Sequence, residues 1–481
     1  MKRVFLALFL ITACVLSQAV ICFSEENAPV AYHIEIDIFE NEQAAHIKTH
    51  ITYQNRTGET LENLFFALPA NCFRRESTLP YDNDTLPEAF PYGYAPGGCD
   101  IESIRVNGES ADWAVSGENE IYIRVPVSLE IDEVCEIEFD YALLYTENCA
   151  FLGVSENDVR LFGFYPSLLV YEDGGFSINA LTRAGKSHYS DLASFDVFLS
   201  VPVDYDVACA GKTKEIVNGA RKHVSIHLEN AREMALVVSL KFHARSETTS
   251  SGVLLSIYGQ NRADLSKSLA YIEEAVSFLD QNLAPFPHAS FTLVFSDLAG
   301  ENLSASGINV VSKGEFDRAE IYKAVLKQYF SDRVHPNPAM EAWLTDGLTE
   351  YLSMIMLREI RGEKEFLSLL NARVLPSIQI TIPGGLTPVS ETMRFQTISE
   401  YESVVCLRSA AALHEVETAM GKDAFWSGIK QYYSDYAFEM PVSDDFARAL
   451  ERATGRSWAD ALYHWLYTID EYAGENLYEY D

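Results

Sequence analysis

The sequence predicts an α+β protein of two main domains behind an export segment. An N-terminal antiparallel β-sandwich or saddle is expected over residues 28–248, and a mostly helical domain over residues 249–470. Three observations lead there. From Ala31 to about Ala244, apolar residues recur at every second position in short runs separated by turn residues, the pattern of strands with one wet face. From about Asn261 the apolar spacing changes to three and four residues, that of helices packed on one side. The length, 481 residues, is enough for two or three sizeable cores.

The chain opens with Lys2 and Arg3, an apolar run from Phe5 to about Phe23, and then Ser24 and two glutamates. This reads as a secretory signal over residues 1–24, cleaved after Ala19 or Ser24. Ile11-Thr12-Ala13-Cys14 also resembles a lipoprotein box, and the apolar run approaches the ~20 residues that cross a bilayer. A secreted or extracytoplasmic protein is therefore expected, with a lipid- or membrane-anchored form as the alternative and no membrane contact elsewhere. With 70 acidic residues against 36 basic ones, the net charge of −34 argues against a nucleic-acid partner and for a solvated acidic surface. Residues 471–481 form an acidic tail. Six cysteines follow the signal (Cys72, Cys99, Cys135, Cys149, Cys209 and Cys406), and their spacing matches no CxxC metal site. One or two disulfides, such as Cys72 with Cys99, fit an exported protein.

In the first domain Ile34, Ile36 and Ile38 alternate with His33, Glu35 and Asp37. After a polar turn at Glu40 to Gln43, Ile47, Ile51 and Tyr53 continue the pattern as the second arm of a hairpin. Further strands are expected at Ile104–Val106, turned by Asn107-Gly108, and at Ile121–Val125, Cys135–Tyr141, Phe195–Val201 and Met234–Phe242. The pairs His46/His50 and His223/His227 are spaced as HxxxH. On a strand that spacing separates side chains by about 13 Å, so these are solvated strand histidines and not partners on one ion.

In the second domain Leu265, Leu269, Ile272, Val276 and Leu279 mark a long helix, and Phe291–Phe295 a strand. Asp317 and Arg318 open another helix with Ile321, Val325, Leu326 and Tyr329 on its apolar face; Pro336 and Pro338 break the chain before the next. Gly362 ends that helix, Pro383-Gly384-Gly385 marks a loop, and Glu402–Met420 is a helix closed by Gly421. Lys422–Tyr436, Ser443–Ala453 and Ser457–Tyr467 complete the chain as helices.

Within this frame stand Lys327-Gln328-Tyr329-Phe330 and Trp343-Leu344-Thr345-Asp346-Gly347-Leu348-Thr349-Glu350-Tyr351. The wording resembles the membrane alanyl aminopeptidase family of zinc gluzincins, the aminopeptidase N-like enzymes. In that family one helix carries HExxHQ[WY]F and the next WLxEGxxEY, with eighteen residues between the second His and the Glu. Eighteen residues also separate Lys327 from Asp346. Looser likenesses lie at Tyr53–Asn55, Phe164–Leu168 and Tyr189–Val197. The resemblance implies a thermolysin-like second domain. It places the first zinc-binding His on Lys323, the general base on Ala324, the second His on Lys327 and the Glu ligand on Asp346. Ala299-Gly300-Glu301-Asn302 is similar to the family's GxMEN loop, which implies that Glu301 grips a peptide amino terminus. Val404 to Ala410 is similar to VVYxKGA, with Cys406 at the position of the oxyanion-stabilising Tyr.

The frame is kept and the zinc-binding residue types are not. An ammonium has donors and no acceptor, so Lys323 and Lys327 would repel a metal, and Ala324 cannot take a proton from water. Zinc is implied by the resemblance but not supported by the residues, so no cofactor is expected. Lys323 and Lys327, four apart on one helical face, are expected to sit instead against Asp346 and Glu350 in the space of the ion. The leading expectation is a secreted pseudo-peptidase that binds peptides or protein partners. The alternatives are an active peptidase or hydrolase, with zinc aminopeptidase activity as the resemblance implies or with a rebuilt site using the Cys406 thiol or a metal on Asp346, Glu350 and His335, and a structural scaffold whose cleft is filled by side chains.

Overall fold

The computed structural model describes residues 28–467 apart from 39–42, 118–119, 156–157, 314–316 and 381–383. The signal segment, the acidic tail, most of the first hairpin turn and Pro383 lie outside the described residues.

Alternation does build the first domain. The main sheet has eight strands, in the spatial order Lys212–Asn218, Arg221–Ala231, Ala193–Pro202, Val30–Ile38, Ala44–Gln54, Val134–Leu144, Gly98–Val106 and Glu109–Ser110. Ile34, Ile47, Ile51, Ile137 and Val197 are fully buried on one face, each worth about 1.5–3 kcal/mol relative to exposure. Val30–Ile38 pairs antiparallel with Ala44–Gln54 but parallel with Ala193–Pro202, so this sheet is mixed where an all-antiparallel one was expected. Two four-stranded sheets pack with it into one core. At the Asn107-Gly108 turn both residues take positive φ, 50° and 83°, the left-handed pair that a two-residue hairpin needs. Cys72 and Cys99 are buried free thiols, so the expected bridge between them is not formed.

The expected strand Met234–Phe242 is shorter, Leu236–Ser239, because the chain leaves that sheet to start a new one. His243–Thr248, placed by the sequence at the end of the first domain, pairs with Leu254–Gly259 in a five-stranded mixed sheet. Ser290–Ser296, Ile308–Ser312 and the edge strand Leu303–Ala305 complete that sheet. The helix Arg262–Asn282 packs on it, and the remaining helices enclose the second core. A buried bridge ties the two halves. Arg160 donates to Ala150 O at 2.8 Å and pairs with Asp158, and Ser296 Oγ donates to Asp158 at 2.8 Å. The loop that follows Ser296 carries Glu301, so this clasp places that loop.

Candidate functional site

Asp317 begins the helix Arg318–Lys327 as its cap, accepting from Ala319 N–H at 3.0 Å. Ile321, Tyr322, Val325 and Leu326 are buried, which leaves Lys323 and Lys327 on the flank that faces the next helix. Gln328 locks the register: its amide donates to Asn309 Oδ1 at 2.8 Å and to Ala305 O, and accepts from Gly307 N–H at 2.6 Å. Trp343 anchors the partner helix by donating to Ser443 Oγ at 2.8 Å. At Gly347 a Cβ would stand 2.4 Å from Ser409 Cβ and 2.7 Å from Val405 O. That glycine lets the helix bearing Asp346 and Glu350 press against the one bearing Cys406.

The two lysines meet the two carboxylates in separate pairs. Lys323 Nζ lies 2.8 Å from Glu350 and 2.5 Å from Glu320, and Lys327 Nζ lies 2.9 Å from Asp346 Oδ1. Arg373 joins from a later helix, 3.5 Å from Glu350 and 2.8 Å from Glu402. Tyr401 OH donates to Asp346 Oδ2 at 2.5 Å. Burial opposes the charge on Asp346, but Lys327 outweighs it and holds the carboxyl below its usual range; Lys323 and Arg373 do the same for Glu350. Burial likewise opposes the charge on both ammoniums, yet Glu350 and Asp346 raise the pKa of Lys323 and Lys327 respectively. Each ion pair is self-reinforcing, and both lysines stay cationic across the physiological range.

Ala324 is buried between the lysines and offers no polar atom. Cys406 lines one cavity together with Lys323, Lys327, Asp346 and Glu350, but burial, then Asp346 and Glu350, push its thiol well above its usual range. His335 does not join Asp346 and Glu350. It is buried, with Nδ1 2.7 Å from Ser331 O and its ring against Tyr189, and burial together with Arg232 and Lys186 holds it well below the usual imidazole range. Among the described residues, the one cluster of three or more His, Cys, Asp and Glu side chains whose ligand atoms converge is His46, Glu102 and Asp140, on the first domain. The rebuilt metal set of Asp346, Glu350 and His335 is thus not assembled, and among the described residues no imidazole lines the cavity beside the thiol to activate it.

Glu301 lines the cleft, where its carboxylate accepts from Gly185 N–H at 2.6 Å. Gly185 has φ 77°, and a Cβ there would stand 2.8 Å from the Tyr401 ring. Burial, reinforced by Asp346, pushes the Glu301 carboxyl up to about 7. Two cavities meet at Glu301, Lys327 and Asp346. One, of about 180 Å³, has apolar walls that include Pro69, Tyr81, Phe151, Phe162 and Leu298. The other, of about 490 Å³, is lined by Lys323, Glu350, Arg373, Glu402 and Cys406. An open, apolar-walled groove beside Glu301 argues against a cleft filled by its own side chains.

Tyr401, Arg373, Glu320 and Glu402 belong to the site but carry no motif signal in the sequence. Tyr401 stands about one turn before the Cys406 position to which a motif match draws attention. Arg373 arrives from a segment with no periodic or motif signal of its own.

Residues 321–465 match the model of the peptidase family M1 domain. No curated protein matches the chain. Among solved structures, an M1 zinc metallopeptidase from Deinococcus radiodurans is similar at 13% identity and a TM-score of 0.66, over 92% of this chain and 93% of that one. A variant of that enzyme bound to a Tyr-Ser-Ala substrate gives 13% identity and 0.65, over 92% and 94%. A variant two-domain M1 zinc metallopeptidase bound to L-arginine gives 14% and 0.66, over 92% and 94%. At these identities the likeness is one of fold.

Proposed function

We propose that this chain, whose residues 321–465 form a peptidase family M1 domain, is a secreted or surface-exposed pseudo-peptidase that holds peptides or extended segments of protein partners without cleaving them. The observation that carries the reading is the double ion pair. Lys327 on Asp346 and Lys323 on Glu350 put two ammonium groups at the positions where the family resemblance expects imidazole ligands. A zinc ion there would polarise a carbonyl and activate a water. The donor set does not fit it: two ammoniums have no lone pair to give, and Ala324 supplies no base.

What remains suits binding. The cleft is open, its walls are apolar on one side, and Glu301 stands at the junction of its two cavities with a carboxyl able to charge near neutral pH. The fold neighbours described as holding Tyr-Ser-Ala and L-arginine support short peptides with a free amino group as the ligand class.

The test is a pool of peptides with free and with acetylated amino termini, incubated with the protein and analysed by mass spectrometry in bound and free fractions. Retention of intact free-amine peptides, weakened in Glu301→Gln, is expected. Shortened peptides, or no retention of either kind, would sink the proposal.

A further inference from the structure

We infer that the outer face of the large N-terminal sheet carries a binding site for one borderline divalent metal ion, of the zinc type, formed by His46, Glu102 and Asp140. The three residues come from three adjacent strands, Ala44–Gln54, Gly98–Val106 and Val134–Leu144. In the pairing of the first and third, Asp140 lies opposite Lys48 and His46 opposite Ala142, which makes His46 and Asp140 diagonal neighbours on one face. Glu102 gets there by a β-bulge. Ile101 pairs with Tyr141 and Ser103 with Asp140, so Glu102 is the extra residue, and the bulge re-aims its side chain. One ligand atom from each residue lies within 4.8 Å of the others.

The polar bookkeeping of Asp140 points the same way. Its Oδ1 is shielded from solvent and accepts no hydrogen bond, although His46 Nε2 stands only 2.8 Å away. In the tautomer that carries its proton on Nδ1, the His46 Nε2 and the Asp140 oxygen are two lone-pair donors converging on one position. In a tetrahedral site with bonds of about 2.0–2.2 Å, neighbouring ligand atoms stand roughly 3.3–3.6 Å apart. The His46 to Asp140 edge, 2.8 Å, needs to open by about 0.5 Å to reach that, and Glu102, within 4.8 Å of both, needs to close by at most about 1.5 Å. One nitrogen and two carboxylate oxygens suit zinc and its neighbours, whereas calcium wants six to eight oxygens. Water would complete the shell, since Glu102 is exposed and His46 and Asp140 are half-buried. Lys48 lies 3.3 Å from Asp140 Oδ2, so it both orients that carboxylate and weakens the site by repulsion.

This site is separate from the cleft and holds whether or not the cleft binds peptides. Calorimetric titration of the metal-stripped full-length protein with zinc chloride tests it. One ion per chain is expected, bound about tenfold or more weakly in His46→Gln, Glu102→Gln and Asp140→Asn, and more tightly in Lys48→Gln. Calcium in excess should not displace it. Thermal melts without zinc, unchanged in the variants, show that any loss of binding is local. Absence of binding to the wild type, or undiminished binding in the triple variant, overturns the inference.

Discussion

Lys327 Nζ stands 2.9 Å from Asp346 Oδ1, while Tyr401 OH donates to the other oxygen of the same carboxylate at 2.5 Å. Asp346 is thereby satisfied on both oxygens by its own protein. Removing one member of such a half-buried pair strands the other, which is costlier than removing both. Lys327→Met should therefore destabilise the protein by about 1–3 kcal/mol, and adding Asp346→Asn should recover part of that loss. Urea unfolding of the two single variants and the double variant measures the coupling. Purely additive effects would mean that the pair is not coupled.

A deeper pair lies behind it. Arg358 binds Glu417 through both guanidinium nitrogens, at 2.9 and 2.5 Å, and Tyr351 OH donates to the same carboxylate at 2.5 Å. Both charged side chains are almost fully buried. Arg358→Met should cost about 3–5 kcal/mol by leaving Glu417 charged and unpaired. Chemical denaturation checks this, and a loss below about 1 kcal/mol would contradict it.

Glu301 should set a pH dependence of stability opposite to that of most carboxylates. Its folded pKa is raised to about 7 from 4.5, so the folded state binds the proton more tightly. The stability it contributes is fully present below the unfolded value and is lost as pH rises through about 7. Glu301→Gln should then gain on wild type between pH 5 and pH 8, by on the order of 1–3 kcal/mol. Melts at those two pH values give the difference, and equal effects of the substitution at both would refute the raised pKa.

The close approach at Gly347 should tolerate no Cβ. Gly347→Ala meets Ser409 Cβ and Val405 O at distances real atoms do not adopt, so the two helices must part. A loss of about 1–3 kcal/mol is expected, read from the melting temperature. Ser409→Gly in the same chain should restore part of it, because the Ser409 side-chain atoms are then gone and only the contact with Val405 O remains.

Some of this geometry was legible in the sequence and some was not, for physical reasons. The spacing of Lys323 and Lys327 puts them on one helical face in any α-helix, and Asn107-Gly108 announces a tight hairpin through its conformational freedom alone. Local patterns of this kind survive into the fold. The parallel pairing of Val30–Ile38 with Ala193–Pro202 joins residues far apart in sequence, and alternation gives the face of a strand but not its neighbour or direction. Tyr401 and Arg373 reach the site through long side chains from segments without a motif, so only the assembled fold places them beside Asp346 and Glu350. The HxxxH spacing sets His46 against His50 along its own strand, while its actual neighbours, Asp140 and Glu102, come from the next strand and the one beyond it.

Rebuilding what the lysines replace tests whether the double ion pair excludes zinc from the cleft. In a His46→Gln, Asp140→Asn background, which removes the outer-face metal ligands, zinc content and chelator-sensitive hydrolysis of aminoacyl fluorogenic substrates are measured for two proteins. One keeps the cleft unchanged; the other carries Lys323→His, Ala324→Glu, Lys327→His and Asp346→Glu. No stoichiometric zinc and no chelator-sensitive cleavage are expected in the first, and near-stoichiometric zinc in the second. Near-stoichiometric zinc with chelator-sensitive cleavage in the unchanged cleft would contradict it.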